Sequence, residues 1–240
     1  MSDVLARHET AVQAVRPPLI ELTGVEKVYR TGKVEFPALR GVDLTIADGE
    51  MVAIVGPSGS GKSTIMNMIT GIDRPTAGTV TVDGERIDLM SEEDLAVWRG
   101  RRVGVVFQFF QLLPTLTALE NAMLPMDFAR RGSKRERRER AAHNLELVGL
   151  DGMGDRLPAE MSGGQQQRVA IARALASYPT LVIGDEPTGN LDTTTAAEMF
   201  ELLRRVCDEG ATVLYVTHDL ELAARADRTI TIRDGLVVGE

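Results

Sequence analysis

The stretch Gly56-Pro57-Ser58-Gly59-Ser60-Gly61-Lys62-Ser63-Thr64 constrains the fold more than any other part of this chain. It follows an apolar run, Met51-Val52-Ala53-Ile54-Val55, and leads into Ile65-Met66-Asn67-Met68-Ile69. It therefore stands between a buried strand and a helix, and in that setting G-x-x-x-x-G-K-[ST] reads as a phosphate cradle. Gly56, Gly59 and Gly61 let the backbone wrap closely with its N–H groups turned inward. Ser58, Ser60 and Thr64 belong to the same wrap, and the helix start at Gly61 adds its positive dipole end. Lys62 is placed to reach the β- and γ-phosphates, and the Ser63 hydroxyl to ligate Mg²⁺. A Gly/Ser-rich surface turn is the bland alternative, and the order of strand, loop, lysine and hydroxyl argues against it.

A second anchor is Leu181-Val182-Ile183-Gly184-Asp185-Glu186, a short apolar strand whose C-terminal end presents two consecutive carboxylates. In parallel sheets ligands collect at that end of the strands, where the phosphate loop also opens. Asp185 is thus expected to hold Mg²⁺, and Glu186 to orient and deprotonate the water that attacks the γ-phosphate.

The pattern around these anchors alternates strand and helix, which argues a mainly parallel sheet covered on both faces. Residues 1–18, ending in Pro17-Pro18, read as a loose leader without a signal peptide's apolar core. Leu19–Tyr29 and Ala38–Ile46 are strand-like, joined by a loop over Arg30–Pro37. Thr79–Glu85 alternates and ends in Asp83-Gly84-Glu85, a hairpin signal. Ser91 should cap a helix running to about Gly100, before a strand over Val103–Phe107. Between roughly Leu112 and Met161 the chain turns helical, an insertion within the α/β frame. Helices over Ser162–Ser177, Thr193–Glu209 and Leu220–Ala226, strands over Leu181–Gly184 and Thr212–Val216, and a final hairpin complete the expectation.

Composition sets limits. No run approaches 18 apolar residues, so no spanning helix is expected. The one cysteine, Cys207, makes no internal disulfide and reads as filler on a helix. A formal net charge of −8 argues against a nucleic-acid surface. Residues 130–140 are the local exception, with seven basic and two acidic residues. We read them as a solvated helix face with a Glu136–Arg140 pair, contact with anionic lipid headgroups being the sharper alternative.

A third element narrows the family. Met161-Ser162-Gly163-Gly164-Gln165-Gln166-Gln167-Arg168 opens a helix with Ser162 as its N-cap, a second helix start able to meet an anion. One nucleotide does not need two such cradles. Here the chain resembles the ATP-binding cassette (ABC) superfamily, whose signature is Leu-Ser-Gly-Gly-Gln, with Met161 in place of the leucine. The resemblance runs from about Leu19 to Glu240. It implies a P-loop NTPase of the ABC ATPase fold, with an antiparallel β subdomain and an inserted helical subdomain at about 112–161. Tyr29 resembles the aromatic that stacks on adenine. Gln108 is similar to the Q-loop glutamine that touches Mg²⁺ or the attacking water. Pro187–Asp192 resembles the D-loop, with Asp192 reaching across a dimer. His218 resembles the switch histidine at the γ-phosphate, although a lone histidine after a strand is often structural.

The resemblance implies two copies packed head to tail, each ATP held between one chain's Lys62 loop and the other's Ser162, Gly163, Gly164 and Gln165. Soluble ABC proteins of DNA maintenance or translation carry a long coiled coil or two cassettes in one chain, and neither feature stands here. The expected role is the ATPase subunit of a membrane transporter, at the cytoplasmic face of the inner membrane and held there by a permease. The apolar segment Gln108–Asn121 is expected to receive a short permease helix. The branch it resembles includes macrolide exporters, lipoprotein-release ATPases and a cell-division ATPase, and often works by mechanotransmission. Amino-acid importers are the alternative.

Overall fold

The computed structural model describes residues 18–240. The expected leader therefore lies outside the described residues except for Pro18, which opens the first strand. Strands β1 (Pro18–Thr31) and β2 (Val34–Ala47) form a long antiparallel hairpin. β4 (Ala77–Val82) and β5 (Glu85–Arg86) extend it to a four-stranded antiparallel sheet in the order β2-β1-β4-β5. The loop expected over Arg30–Pro37 does not form. Both strands continue through it, leaving Gly32-Lys33 as a two-residue turn. Pro37 is tolerated because β2 lies at the edge of this sheet, where a missing N–H breaks no central ladder.

The second sheet has six strands in the order β10-β9-β3-β8-β7-β6. These are β3 (Met51–Val55), β6 (Val103–Phe107), β7 (Leu181–Asp185), β8 (Thr212–Val216), β9 (Arg228–Arg233) and β10 (Leu236–Gly239). All neighbouring pairs are parallel except β9 with β10. The apolar runs of β3, β7 and β8 are explained by burial on both faces. Met51, Ala53, Val182, Val213 and Tyr215 belong to one core, and Val52, Ile54, Leu181, Ile183, Leu214 and Val216 to the other. The second core also takes the inner side chains of the antiparallel sheet, such as Ile20, Leu22 and Ile46.

Helices α1 (Lys62–Ile69) and α2 (Glu92–Arg102) contribute Ile65, Met68, Leu95 and Trp98 to that second core. Ser91 caps α2 by accepting from the Asp94 N–H. Two helices, α3 (Ala118–Phe128) and α4 (Lys134–Leu147), occupy the segment expected to be helical. They pack with α5 (Gly163–Ala174) around Leu119, Ala122, Leu145 and Val169. Met161 is itself buried, so the leucine-to-methionine exchange keeps an apolar side chain in place. α6 (Thr193–Asp208) lays Met199, Phe200 and Leu203 on the sheet, with Cys207 buried on the same face. The last helix, α7 (Leu220–Ala223), is one turn long and stops short of the expected Ala226.

The basic run falls at the end of α3 and along α4. Glu136 does not pair with Arg140: its carboxylate accepts from the Ser133 N–H in a capping box, which competes for the same oxygens. Arg140 instead stacks over the Tyr178 ring at 3.3 Å and donates to Leu175 O. Arg131 donates to Ser177 O, and Arg137 pairs with Asp127 at 2.7 Å. The i,i+4 pair present is Arg135–Glu139.

Candidate active site

The strand register assembles the site. Phe107, Asp185, Val216 and Ile54 lie side by side across β6, β7, β8 and β3. The next residues, Gln108, Glu186 and Thr217, leave the sheet together at its C-terminal edge, while Val55 ends β3 beside Thr231, with Gly56 and His218 one step beyond. Residues far apart in sequence meet there because parallel strands share one direction.

A cleft of about 450 Å³ opens at this edge. Gly56, Ser58, Gly59, Gly61, Lys62, Ser63 and Thr64 form its floor, Asp185, Glu186 and His218 one wall, and Tyr29, Phe36 and Ala38 another. Gly61 takes φ +111° as the N-cap of α1. A Cβ there would lie 2.9 Å from Ala38 O, and one at Gly56 would lie 2.1 Å from Ile232 O. Only glycine fits at either place. The Lys62 ammonium donates to Gly56 O and Pro57 O, both at 2.8 Å, so it bridges the cradle's own rim. Ser60 differs from its neighbours: its side chain is buried and its Oγ has no hydrogen-bond partner among the described residues.

Asp185 and Glu186 have different environments. Burial, and then the negative charge of Glu186, push the Asp185 carboxyl above its ordinary range against the pull of Lys62. Such a carboxylate gains from a nearby cation. Asp185 and the Ser63 hydroxyl face the same cleft and are hard oxygen donors, the set that suits Mg²⁺. Glu186 sits at φ +46°, left-handed for a non-glycine residue. Its N–H donates to Val216 O at 3.0 Å, and its carboxylate lies 3.3 Å from His218 Nδ1. His218 is largely exposed, which disfavours the reading of a core histidine.

The Tyr29 ring carries Lys27 Nζ 5.0 Å above its centroid. Its cross-strand partner is Phe36, so two aromatics flank the cleft. The expectation of a loop over Arg30–Pro37 hides Phe36, which in the structure pairs with Tyr29 across the hairpin. The alternation of Val34, Phe36 and Ala38 was the available signal.

Among the described residues, the cleft wall does not include Gln108, Asp192 or the Ser162–Gln165 helix start. The Gln108 side chain lies beside Gly189, and the Gln108 backbone carbonyl accepts from Asn190 Nδ2 at 3.0 Å. The Asp192 carboxylate caps α6 through the Thr195 N–H and hydroxyl at 3.1 and 2.6 Å. Those hydrogen bonds hold its carboxyl below the usual range. Ser162 and Gln165 close a capping box, Ser162 Oγ accepting from the Gln165 N–H and Gln165 Oε1 from the Ser162 N–H. Gly164 packs against α6, where a Cβ would meet Thr195 Cγ2 at 2.8 Å.

Two buried polar side chains, Asn121 and Gln167, and the half-buried Arg173 have partners that the sequence does not announce. Asn121 binds Leu113, Leu116 and Thr117, Gln167 binds Pro187 O, and Arg173 donates to Phe110 O and Gln111 O. They sit amid apolar helical periodicity, and a polar residue there gives no sequence signal of its partner.

Comparison with known proteins places this geometry. Residues 39–189 match the family model described as ABC transporter. An uncharacterized ABC transporter ATP-binding protein of Thermotoga maritima is 50% identical over 224 residues, covering 92% of this chain and 94% of that protein. The lipoprotein-releasing system ATP-binding protein LolD of Anaeromyxobacter dehalogenans is 51% identical, over 95% of this chain and 96% of that one. The macrolide export ATP-binding/permease protein MacB of Syntrophobacter fumaroxidans is 46% identical over 92% of this chain, which spans 31% of that protein. A solved dimer of the cassette MJ0796, in a post-hydrolysis state with ADP and Pi, superposes with a TM-score of 0.85 at 43% identity. The match covers 92% of this chain and 97% of the solved one.

Proposed function

The chain belongs to the ABC transporter family, and from that premise we propose that it is one jaw of an ATP-closed dimer seated on a membrane permease. It is an ATPase, the ATP-binding and ATP-hydrolysing subunit of an ABC transporter complex. The observation that carries the jaw reading is the split of the site. Lys62, Ser63, Asp185, Glu186 and His218 share one cleft, and the Ser162–Gln165 helix start stands outside it. A second copy packed head to tail would bring its own α5 start over this cleft, adding amides and a positive dipole end to the γ-phosphate.

In that arrangement Lys62 turns from its loop carbonyls to the phosphates. Ser63 and Asp185 would hold Mg²⁺, with Gln108 a third ligand once it turns inward. The ion, when bound, neutralises charge on the phosphate oxygens. Glu186 orients the water and takes its proton, His218 steadies the γ-phosphate side, and Tyr29 with Phe36 receives the adenine ring. Asp192 serves the partner through the D-loop it anchors. Residues 19–240 form the nucleotide-binding domain, with 112–161 as its helical subdomain.

The test is Glu186→Gln, which keeps the shape and removes the base. We expect it to bind ATP, lose turnover and run as a dimer on size exclusion with ATP. A monomer under those conditions would falsify the jaw reading.

The LolD and MacB relatives support an export, lipoprotein-release or mechanotransmission role over amino-acid import. Among the described residues no helix is long and apolar enough to cross a membrane, in keeping with attachment to the cytoplasmic face of the inner membrane through a permease. Any contact with anionic lipid would rest on Arg130, Lys134 and Arg138, the exposed members of the basic run without a hydrogen-bond role described above.

A further inference from the structure

We propose that Gln167 is a positioning residue that ties the partner-facing start of α5 to the chain's own hydrolytic loop, and so links the two ATP sites of the dimer. The inference rests on the head-to-tail reading and goes beyond it. Gln167 lies on α5, five residues after Ser162, and is fully buried. Its Nε2 donates to Pro187 O at 2.5 Å and points to Phe107 O at 3.5 Å. These carbonyls belong to the residue after Glu186 and the residue before Gln108. One amide therefore touches both loops that deliver the groups expected to handle the attacking water.

The orientation of that amide is settled by its neighbours, because flipping it would press Oε1 against two carbonyl oxygens. Oε1 itself is buried with no hydrogen-bond partner among the described residues. Packing alone does not account for such a side chain. A methionine would fill the volume with no unpaired acceptor, so the amide is explained by what its N–H group holds.

The residue before the one it holds is strained. Glu186 has a left-handed backbone, a conformation that persists only where the surroundings over-determine it. Glu186 N–H is fixed to Val216 O, and Glu186 O accepts from the Gly189 N–H at 3.0 Å. Pro187 packs on Gly184, where a Cβ would lie 2.8 Å from Pro187 Cγ. The Gln167 bond is the one of these ties that comes from the signature helix. Because a helix moves as a rigid rod, a shift of its first turn is carried to Gln167 and to the carbonyl of Pro187, the residue after Glu186. In a head-to-tail dimer that first turn meets the partner's nucleotide, whereas Glu186 serves the chain's own. Occupancy of one site thereby reaches the hydrolytic group of the other.

The test compares Gln167→Met, which keeps the length and loses the donor, with Gln167→His, which keeps an N–H at similar reach. The measurements are ATP affinity, melting temperature, turnover against ATP concentration, and dimer formation in a Glu186→Gln background. For Gln167→Met we expect unchanged ATP affinity and an intact trapped dimer. Turnover should fall about tenfold with KM little changed, and the sigmoidal dependence on ATP expected of two linked sites should be lost. Gln167→His should recover most of both. Retention of full, sigmoidal turnover by Gln167→Met overturns the proposal. So does a parallel fall in affinity, melting temperature and turnover that His does not rescue, which would mark a merely structural residue. If Glu186→Gln alone fails to dimerise, the head-to-tail reading falls first and the link with it.

Discussion

Asp73 joins three parts of the chain next to Tyr29, which lines the candidate site's cleft. It accepts from Lys27 Nζ at 2.6 Å and from the Arg74 N–H at 2.7 Å, and its charge lies beside the Tyr29 phenol. Burial alone would raise its carboxyl, but the bonds from Lys27, Arg74 and Tyr29 outweigh burial and hold it below the ordinary carboxylate range. A carboxyl depressed in the folded state stabilises the fold above its unfolded-state pKa. That stabilisation fades as pH falls through the folded value. Asp73→Asn should therefore lower the melting temperature at pH 7 by about 2 °C, a small figure because the pair is partly screened by solvent. The gap between the two proteins should close on acidification well below pH 4. Melts at neutral and acid pH check this, and a gap that is constant with pH would exclude an ionic role. The same scale shows what a motif conceals. Gly56 reads in sequence as room for a phosphate, yet the space beside it is filled by Ile232 O from β9. A local pattern reports the chain's own turn and is silent about a strand 176 positions away in the sequence.

Elements with strong periodicity were legible, and those set by remote partners were not. β6 and β8 fall where their apolar runs put them, and Ser91, Ser162 and the α5 start are capped as their side-chain chemistry requires. The β1–β2 hairpin ran past its expected ends because residues 30–36 are exposed and polar-rich, so alternation fades while backbone pairing continues. Pairing energy of that kind leaves little trace in residue type. Asn121 is a further case. It sits inside α3 with no exposure, and its Oδ1 accepts from the Leu113 N–H at 2.8 Å. Its Nδ2 donates to Leu113 O, Leu116 O and Thr117 O at 2.9 to 3.1 Å. One side chain thus stands in for secondary structure in the segment between the Q-loop and α3. Asn121→Ala would leave those part-buried backbone groups without this partner and should destabilise the protein by about 2 kcal/mol. That corresponds to a fall in melting temperature of about 4–8 °C for a chain of this size. Amide hydrogen exchange at Leu113 should quicken as well. An unchanged melt with unchanged protection would show that the segment is held by packing instead.

At the scale of the whole molecule, the exposed apolar side chains indicate where function leaves the cleft. Most large apolar residues fill the two cores, but Phe109 is 67% exposed and Leu113 46%, close to the end of β6. Both belong to the segment expected to receive a permease helix. Phe110 belongs to it too, yet is half-buried near Gly163, where a Cβ would lie 3.6 Å from its ring. The sequence could not separate these neighbours. The left-handed backbone at Phe110 and Gln111 decides which ring faces out, and Arg173 fixes it by donating to both carbonyls. Placing a charge at 109 should therefore leave the cores, the cleft and the α5 start intact, whereas a charge at 110 would press on the signature helix. Phe109→Asp should keep its melting temperature and ATP affinity within error and lose co-purification with the membrane partner at least tenfold, since desolvating a buried, unpaired carboxylate in an apolar contact is strongly unfavourable. Phe110→Asp should lower turnover and stability even without a partner. If Phe109→Asp still co-purified while Phe110→Asp did not, the docking surface would lie on the signature-helix side of the loop, and exposure would have been the wrong guide to it.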